Sequence, residues 1–410
     1  MTDAHFNVPP LSDRFVRELH DEGGAAVLLL LRSALNDDQS ARDRVTNEAY
    51  ERAWERLHGG DWKDVHPVWR EAFGIAAVLK ARTQAMQAHW EDTLKTLDMC
   101  LMMAGPLAPS SVHRMIDYVE KRLQAVSTVE RDNDQESRRA KRQRLDAPLA
   151  AKTLHSQHSI PRIPMPSLQQ FRDCYMLINS PVIITGGMDH WPAMGTERSW
   201  EDLSYIRRVC GHRTVPIEIG SSYLEDDWGQ QLMTVNAFID RFLEPSSPRS
   251  SREIGYLAQH HLFEQIPALA RDIMTPDYCT IRRSEEAEGE DNLDVDDEDL
   301  AVNAWFGPEG TVSPLHFDPK DNLLCQVVGA KYVRLYAPSE SEKLYPVEGL
   351  LSNTSQVDVE NPDLEAFPLF IDASYQDAVL QAGEMLYLPP RHWHFIRSLS
   401  TSFSVSFWWS

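Results

Sequence analysis

Residues 130–144 divide this chain in two. Glu130–Arg144 is almost entirely charged or polar, and Arg138-Arg139-Ala140-Lys141-Arg142-Gln143-Arg144 is a dense basic run. Such a stretch cannot bury enough apolar surface to offset the entropy of ordering it, so no single core can run through it. We therefore expect a helical domain over 1–127, a charged linker without fixed structure over 128–158, and a second domain over 159–410. The basic run reads either as a solvated linker or as a nuclear localisation signal.

Ahead of the linker, apolar residues recur at helical spacing. Phe15 and Leu19, Leu28 and Leu31, Tyr50, Trp54 and Leu57, then Val65, Trp69 and Phe73, and Leu94, Leu97 and Leu101 each mark one face of a helix. Gly23-Gly24, Gly59-Gly60 and Gly105-Pro106 stand where helices should break. No fixed internal period emerges, so the region reads as a helical docking or dimerising domain rather than a repeat array.

From Ile160 onward the text becomes strand-rich. Pro181–Ile184, Val215–Ile219, Ala301–Phe306, Leu323–Val328, Tyr332–Tyr336, Met385–Leu388 and Phe403–Trp409 are short, rich in β-branched or aromatic residues, and separated by turn signals. That pattern predicts an antiparallel sandwich or barrel, and an α+β protein overall. Ser284–Asp299 has almost no hydrophobic content and is expected to be a disordered loop within the second domain.

Charge and cysteine content narrow the function. A net charge of −22 argues against general binding to a phosphate backbone and fits either a basic partner or acidity that only serves solubility. The five cysteines are far apart and form no CxxC, which reads as reduced thiols rather than a disulfide or zinc framework. The strongest apolar run, Ala25–Leu31, is too short to span a bilayer, so no membrane role is expected.

A metal site is suggested by His316-Phe317-Asp318. In an extended segment residues i and i+2 point the same way, so an imidazole and a carboxylate share one face. With 15 histidines and 62 acidic residues, roughly two such triplets are expected by chance. The second is His89-Trp90-Glu91, which lies in the helical region where i and i+2 diverge. A third ligand is offered by Pro389-Pro390-Arg391-His392-Trp393-His394, after the strand Met385–Leu388. Two imidazoles and a carboxylate leave metal positions open, the arrangement of non-haem iron(II) oxygenases. Alternation puts His392 and His394 on one side, so geometry alone does not choose between them. Lys331 follows a turn at Gly329-Ala330. It is either an exposed turn residue or a buried ammonium awaiting an anion such as the distal carboxylate of 2-oxoglutarate.

Longer strings then become informative: Asn303-Ala304-Trp305-Phe306-Gly307-Pro308, Ser313-Pro314-Leu315-His316-Phe317-Asp318-Pro319, Asn353–Asp363, Ser404–Ser410, Leu232–Asn236 and Tyr256–His260. Over about 160–410 the chain resembles the JmjC family of 2-oxoglutarate oxygenases, closely its jumonji domain-containing protein five type. The resemblance implies a double-stranded β-helix, or jelly roll, with iron(II) on His316, Asp318 and His394. It implies 2-oxoglutarate held by Asn322 and Lys331, with Tyr256, Ser313 and Trp408. It places Glu218, Tyr223, Trp228 and Trp305 at the substrate pocket. Without it, Glu218 would read equally as a sheet-surface glutamate, and both tryptophans as core. The sequence departs from the family at His392, where an aromatic is usual, and at Phe317, where a polar residue is.

The activity implied is hydroxylation of an arginine side chain in a protein substrate, such as a histone tail or a ribosomal or chromatin protein, in the nucleus or also the cytoplasm. Two alternatives stand beside it. One is a histone methyl-lysine demethylase or methylarginine-directed histone-tail peptidase using the same metal. The other is a non-catalytic nuclear scaffold.

Overall fold

The computed structural model describes residues 6, 8, 10–35, 42–60, 64–131, 159–220, 228–244, 253–283 and 300–410. They form two compact units. One holds the helices up to residue 131 with His212–Val215; the other holds the described residues of 159–211 and 216–410. The expected linker beyond Arg131 and the acidic segment 284–299 lie outside the described residues, as does Tyr223.

In the first unit the helices are α1 (Asp13–Asp21), α2 (Ala25–Leu35), α3 (Arg42–Leu57), α4 (Pro67–Met86), α5 (Trp90–Ala104) and α6 (Val112–Arg131). The last runs four residues past the expected end of the domain. Local chemistry sets the starts: Ser12 Oγ accepts the Phe15 N–H at α1, and α4 opens on Pro67, whose missing N–H would be unpaired there anyway. The glycine pairs fall between helices as expected. Phe15, Leu19, Leu31, Phe73, Leu94 and Leu97 meet in one core. The helix α4 is buried on nearly every side, which makes it the axis of the unit. Among the described residues no helix is long and apolar enough to cross a membrane.

In the second unit the strands are β1 (Arg162–Pro164), β2 (Val182–Thr185), β3 (Thr214–Ile219), β4 (Gly229–Thr234), β5 (Gly255–His260), β6 (Leu300–Gly307), β7 (Val312–Phe317), β8 (Asp321–Val328), β9 (Ala330–Tyr336), β10 (Tyr375–Gln381), β11 (Glu384–Leu388), β12 (Trp393–Ser398) and β13 (Ser402–Trp409). The larger sheet has the order β1-β2-β11-β8-β13-β6-β5-β3-β4, and the smaller β10-β9-β12-β7. Apolar residues from both, including Leu324, Leu386, Val333, Leu335, Leu380 and Ile396, share one core, so the sheets stack as a cupin-like sandwich. Every residue of β8 is buried, because this central strand is covered on both faces.

One turn positions much of the site. Gly329 joins β8 to β9 with φ +74°. A Cβ there would stand 2.1 Å from the Thr401 carbonyl oxygen, so only glycine fits. Its tight turn starts β9 so that Lys331 faces inward.

Candidate metal centre and its chamber

Three candidate ligands come together. His316 on β7 and His394 on β12 are direct register partners, with ring centroids 4.2 Å apart. Asp318, just past β7, brings Oδ2 to 3.6 Å from His394 Nε2 and Oδ1 to 4.0 Å from His316 Nε2. All three donor atoms lie within 4.8 Å of one another, the one such cluster found among the described residues.

Backbone carbonyls aim the rings. His316 Nδ1 lies 2.7 Å from the Pro314 oxygen, and His394 Nδ1 lies 3.0 Å from the His392 oxygen. With each Nδ1–H donating outward, each Nε2 is left as a lone-pair donor toward the centre. Burial lowers the pKa of His394, and His316 lowers it further, so the imidazole is kept neutral as a ligand must be. Burial likewise raises the Asp318 carboxyl, with His316 opposing. A cation at the centre reverses that penalty.

His392 does not join the cluster. It precedes β12 and sits in the turn after Pro390, so strand alternation does not reach it. This corrects the expectation that both histidines point one way. Its Nδ1 is buried without a partner. Phe317 points away from the centre and packs edge-on against Trp393, with ring centroids 4.8 Å apart.

The triad opens into a cavity also lined by Tyr256, Ser313, Asn322, Lys331 and Trp305. Lys331 is inside it, only 2% exposed. Its Nζ donates to the Tyr256 hydroxyl at 3.3 Å, and among the described residues no carboxylate pairs with it. Burial alone pulls its pKa down to about 7. Trp305 Nε1 donates to Ser406 Oγ at 2.9 Å. On the facing positions of β8 and β13, Asn322 Oδ1 and Trp408 Nε1 are both buried and unpartnered.

These residues fit iron(II) and 2-oxoglutarate. Two imidazoles and a carboxylate match a ferrous ion with open positions. A buried ammonium without a carboxylate among the described residues needs an acceptor, which a dicarboxylate supplies, whereas Trp408 does not line the cavity.

The remaining candidates stand apart. Glu218 on β3 is the register partner of Tyr256, and its Oε2 accepts from Trp228 Nε1 at 3.4 Å. Neither Glu218 nor Trp228 lines the cavity, and Trp228 is 40% exposed. Burial raises the Glu218 pKa against the Trp228 hydrogen bond, as for a carboxylate short of a cation. Reasoning from sequence missed Ser406, although it alternates with Trp408 on β13 and was legible by period two.

Comparison with known proteins completes the picture. A model described as a cupin-like domain matches residues 168–410. A second, described as KDM8-like N-terminal ARM repeats, matches 10–135, so the helical unit is a repeat array after all. The chain is 40% identical to lysine-specific demethylase 8 of Danio rerio, over 100% of this chain and 99% of that protein. It is 38% identical to lysine-specific demethylase JMJ30 of Arabidopsis thaliana, over 97% and 92%. It is 36% identical to Jumonji C domain-containing protein 5 of Drosophila melanogaster, over 92% and 90%.

Proposed function

Because the chain belongs to the cupin-like JmjC family, in the branch carrying KDM8-like ARM repeats, we propose that it oxidises a C–H bond on a cationic side chain of a protein, N-methyl-lysine first. Its class is that of the non-haem iron oxygenases that use iron(II) and 2-oxoglutarate. The observation that carries the oxygenase reading is the His316, Asp318, His394 triad opening into the same cavity as the unpaired Lys331. N-methyl-lysine comes first because two of the relatives bear the name lysine-specific demethylase.

When bound, iron(II) with 2-oxoglutarate supplies the oxidising power that puts one oxygen atom of dioxygen into a C–H bond, with release of succinate and carbon dioxide. The chain does the rest. His316, Asp318 and His394 would hold the metal and leave positions open to co-substrate and dioxygen. Lys331 and the Tyr256 hydroxyl would hold the distal carboxylate, with Ser313 supporting Tyr256, and Asn322 would line the metal end with Trp408 as its cross-strand neighbour. Trp305 and Leu324 narrow the chamber and exclude water. On an N-methyl group the product is a hemiaminal, which loses formaldehyde.

Arginine hydroxylation is the second reading. It is favoured by Glu218, whose two oxygens match a guanidinium fork and whose hydrogen-bond partner among the described residues is Trp228, at a long 3.4 Å. Trp228 would complete that pocket. We place the enzyme in the nucleus on the strength of the basic run Arg138–Arg144, and its substrate among chromatin proteins.

Incubation with iron(II), 2-oxoglutarate and matched methyl-lysine or arginine peptides separates the readings by product mass. Loss of a methyl group supports demethylation, a gain of one oxygen on arginine supports the second reading, and cut peptide supports a peptidase. No 2-oxoglutarate turnover with any peptide would overturn the enzyme reading.

A further inference from the structure

The strand that carries His316 and leads into Asp318 is an edge. In the smaller sheet β7 has β12 on one side and, among the described residues, no strand on the other. An unpaired edge leaves alternate N–H and C=O groups unsatisfied and its backbone free to shift. Here the far side is covered by a segment distant in sequence. Phe317 N–H donates to the Asn353 carbonyl at 2.9 Å, and Asn353 Nδ2 donates back to the Phe317 carbonyl at 3.1 Å. Ser355 N–H donates to the Leu315 carbonyl at 2.8 Å, and Thr354 bridges His316.

The segment is itself fixed. Val347 N–H donates to the Thr354 carbonyl at 2.8 Å, and Ser355 Oγ donates to the Leu344 carbonyl at 2.6 Å. Both backbone groups of the residue between His316 and Asp318 are thus held by one side chain and its own carbonyl. We propose that Asn353 is a positioning residue for the metal: by clamping Phe317 it sets the spacing of His316 and Asp318, and so the affinity of the triad. This rests on the metal reading above.

The test compares Asn353→Ala with Gln356→Ala. Gln356 lies in the same segment, but its side chain bonds Pro346 at 3.1 Å and does not touch β7. Cobalt(II) affinity and the visible absorption of the cobalt protein are measured by titration, together with the thermal midpoint of each metal-free protein. Asn353→Ala is expected to bind about 10-fold more weakly, as is typical when a group orienting a ligand is lost, with an altered cobalt spectrum. Gln356→Ala should match wild type in both. Asn353→Gln, which keeps the amide on a longer arm, should fall between and serves if the alanine variant does not fold. Wild-type affinity in Asn353→Ala overturns the proposal. Weakening of both alanine variants in step with their midpoints also overturns it, since that is general loosening. A wild-type protein that takes up no metal overturns the metal reading beneath it.

Discussion

His316 and His394 face each other across one rung of an antiparallel ladder, although they are 78 positions apart in the chain with β8 to β11 between them. Neither ring can approach the centre without the register of β7 on β12. His316→Ala, Asp318→Ala and His394→Ala should each lower metal affinity by more than about 100-fold, beyond what loss of an orienting neighbour causes. His392→Phe should stay within a few-fold of wild type. Titration with manganese(II) or cobalt(II) decides, and strong loss in His392→Phe alone would show that the ligand was misassigned.

Lys331 makes co-substrate binding sensitive to pH. Its pKa is depressed to about 7 in the ligand-free fold. A dicarboxylate binds the ammonium, so affinity should be full below pH 7 and fall as the pH rises through it. Binding at pH 8 should take up close to one proton, readable by calorimetry in buffers of different ionisation enthalpy. Lys331→Met should cost about 2–5 kcal/mol of 2-oxoglutarate affinity and flatten the profile.

The same lysine should leave a mark on stability. Unfolded, it titrates near pH 10.4, so between about 7 and 10 the unfolded chain binds the extra proton. Its contribution to the stability of the metal-free protein therefore rises with pH across that window. In Lys331→Met this rise should vanish. Denaturant midpoints at pH 7 and pH 9 are the measurement, and an unchanged slope in the variant would refute it.

On the arginine reading, Glu218 would act on substrate rather than on co-substrate. Glu218→Gln should weaken a cationic peptide by about 1.5–3 kcal/mol, as for loss of a charged hydrogen bond. The affinity for 2-oxoglutarate should not change, because Glu218 does not line that cavity. Competitive binding assays with each ligand separate the two outcomes.

Gly329→Ala should lower the thermal midpoint. The left-handed backbone costs a non-glycine residue about 1–3 kcal/mol, and the Thr401 oxygen has to move as well. Calorimetry on the purified variant reads it directly, and an unaltered midpoint would mean the turn relaxes.

Much of this was legible beforehand. Short runs rich in β-branched and aromatic residues located β6, β8, β9, β11 and β13 to within two residues, because strands that pack on a core are built from such residues. The triplet His316-Phe317-Asp318 was not specific by itself; its neighbours made it so. What stayed hidden depended on contacts distant along the chain. Whether Lys331 lies in or out turns on Thr401 and Tyr256, far away in sequence. The separation of His392 from His394 turns on where β12 begins. The ARM-type helices hid their repeat because the apolar residues that mark their faces recur at no fixed interval along the chain.

A lysine and a metal-ligand triad lining one chamber amount to a gauge block. The two ends are fixed by different strands, β9 and the β7–β12 pair, so the gap between them does not adapt to what enters. A diacid one carbon shorter reaches only one end, and one carbon longer has to buckle. Selectivity among the small keto acids and diacids of a cell would then follow from length. Such molecules would compete with the co-substrate in the order of their fit, tying the enzyme's output to their abundance.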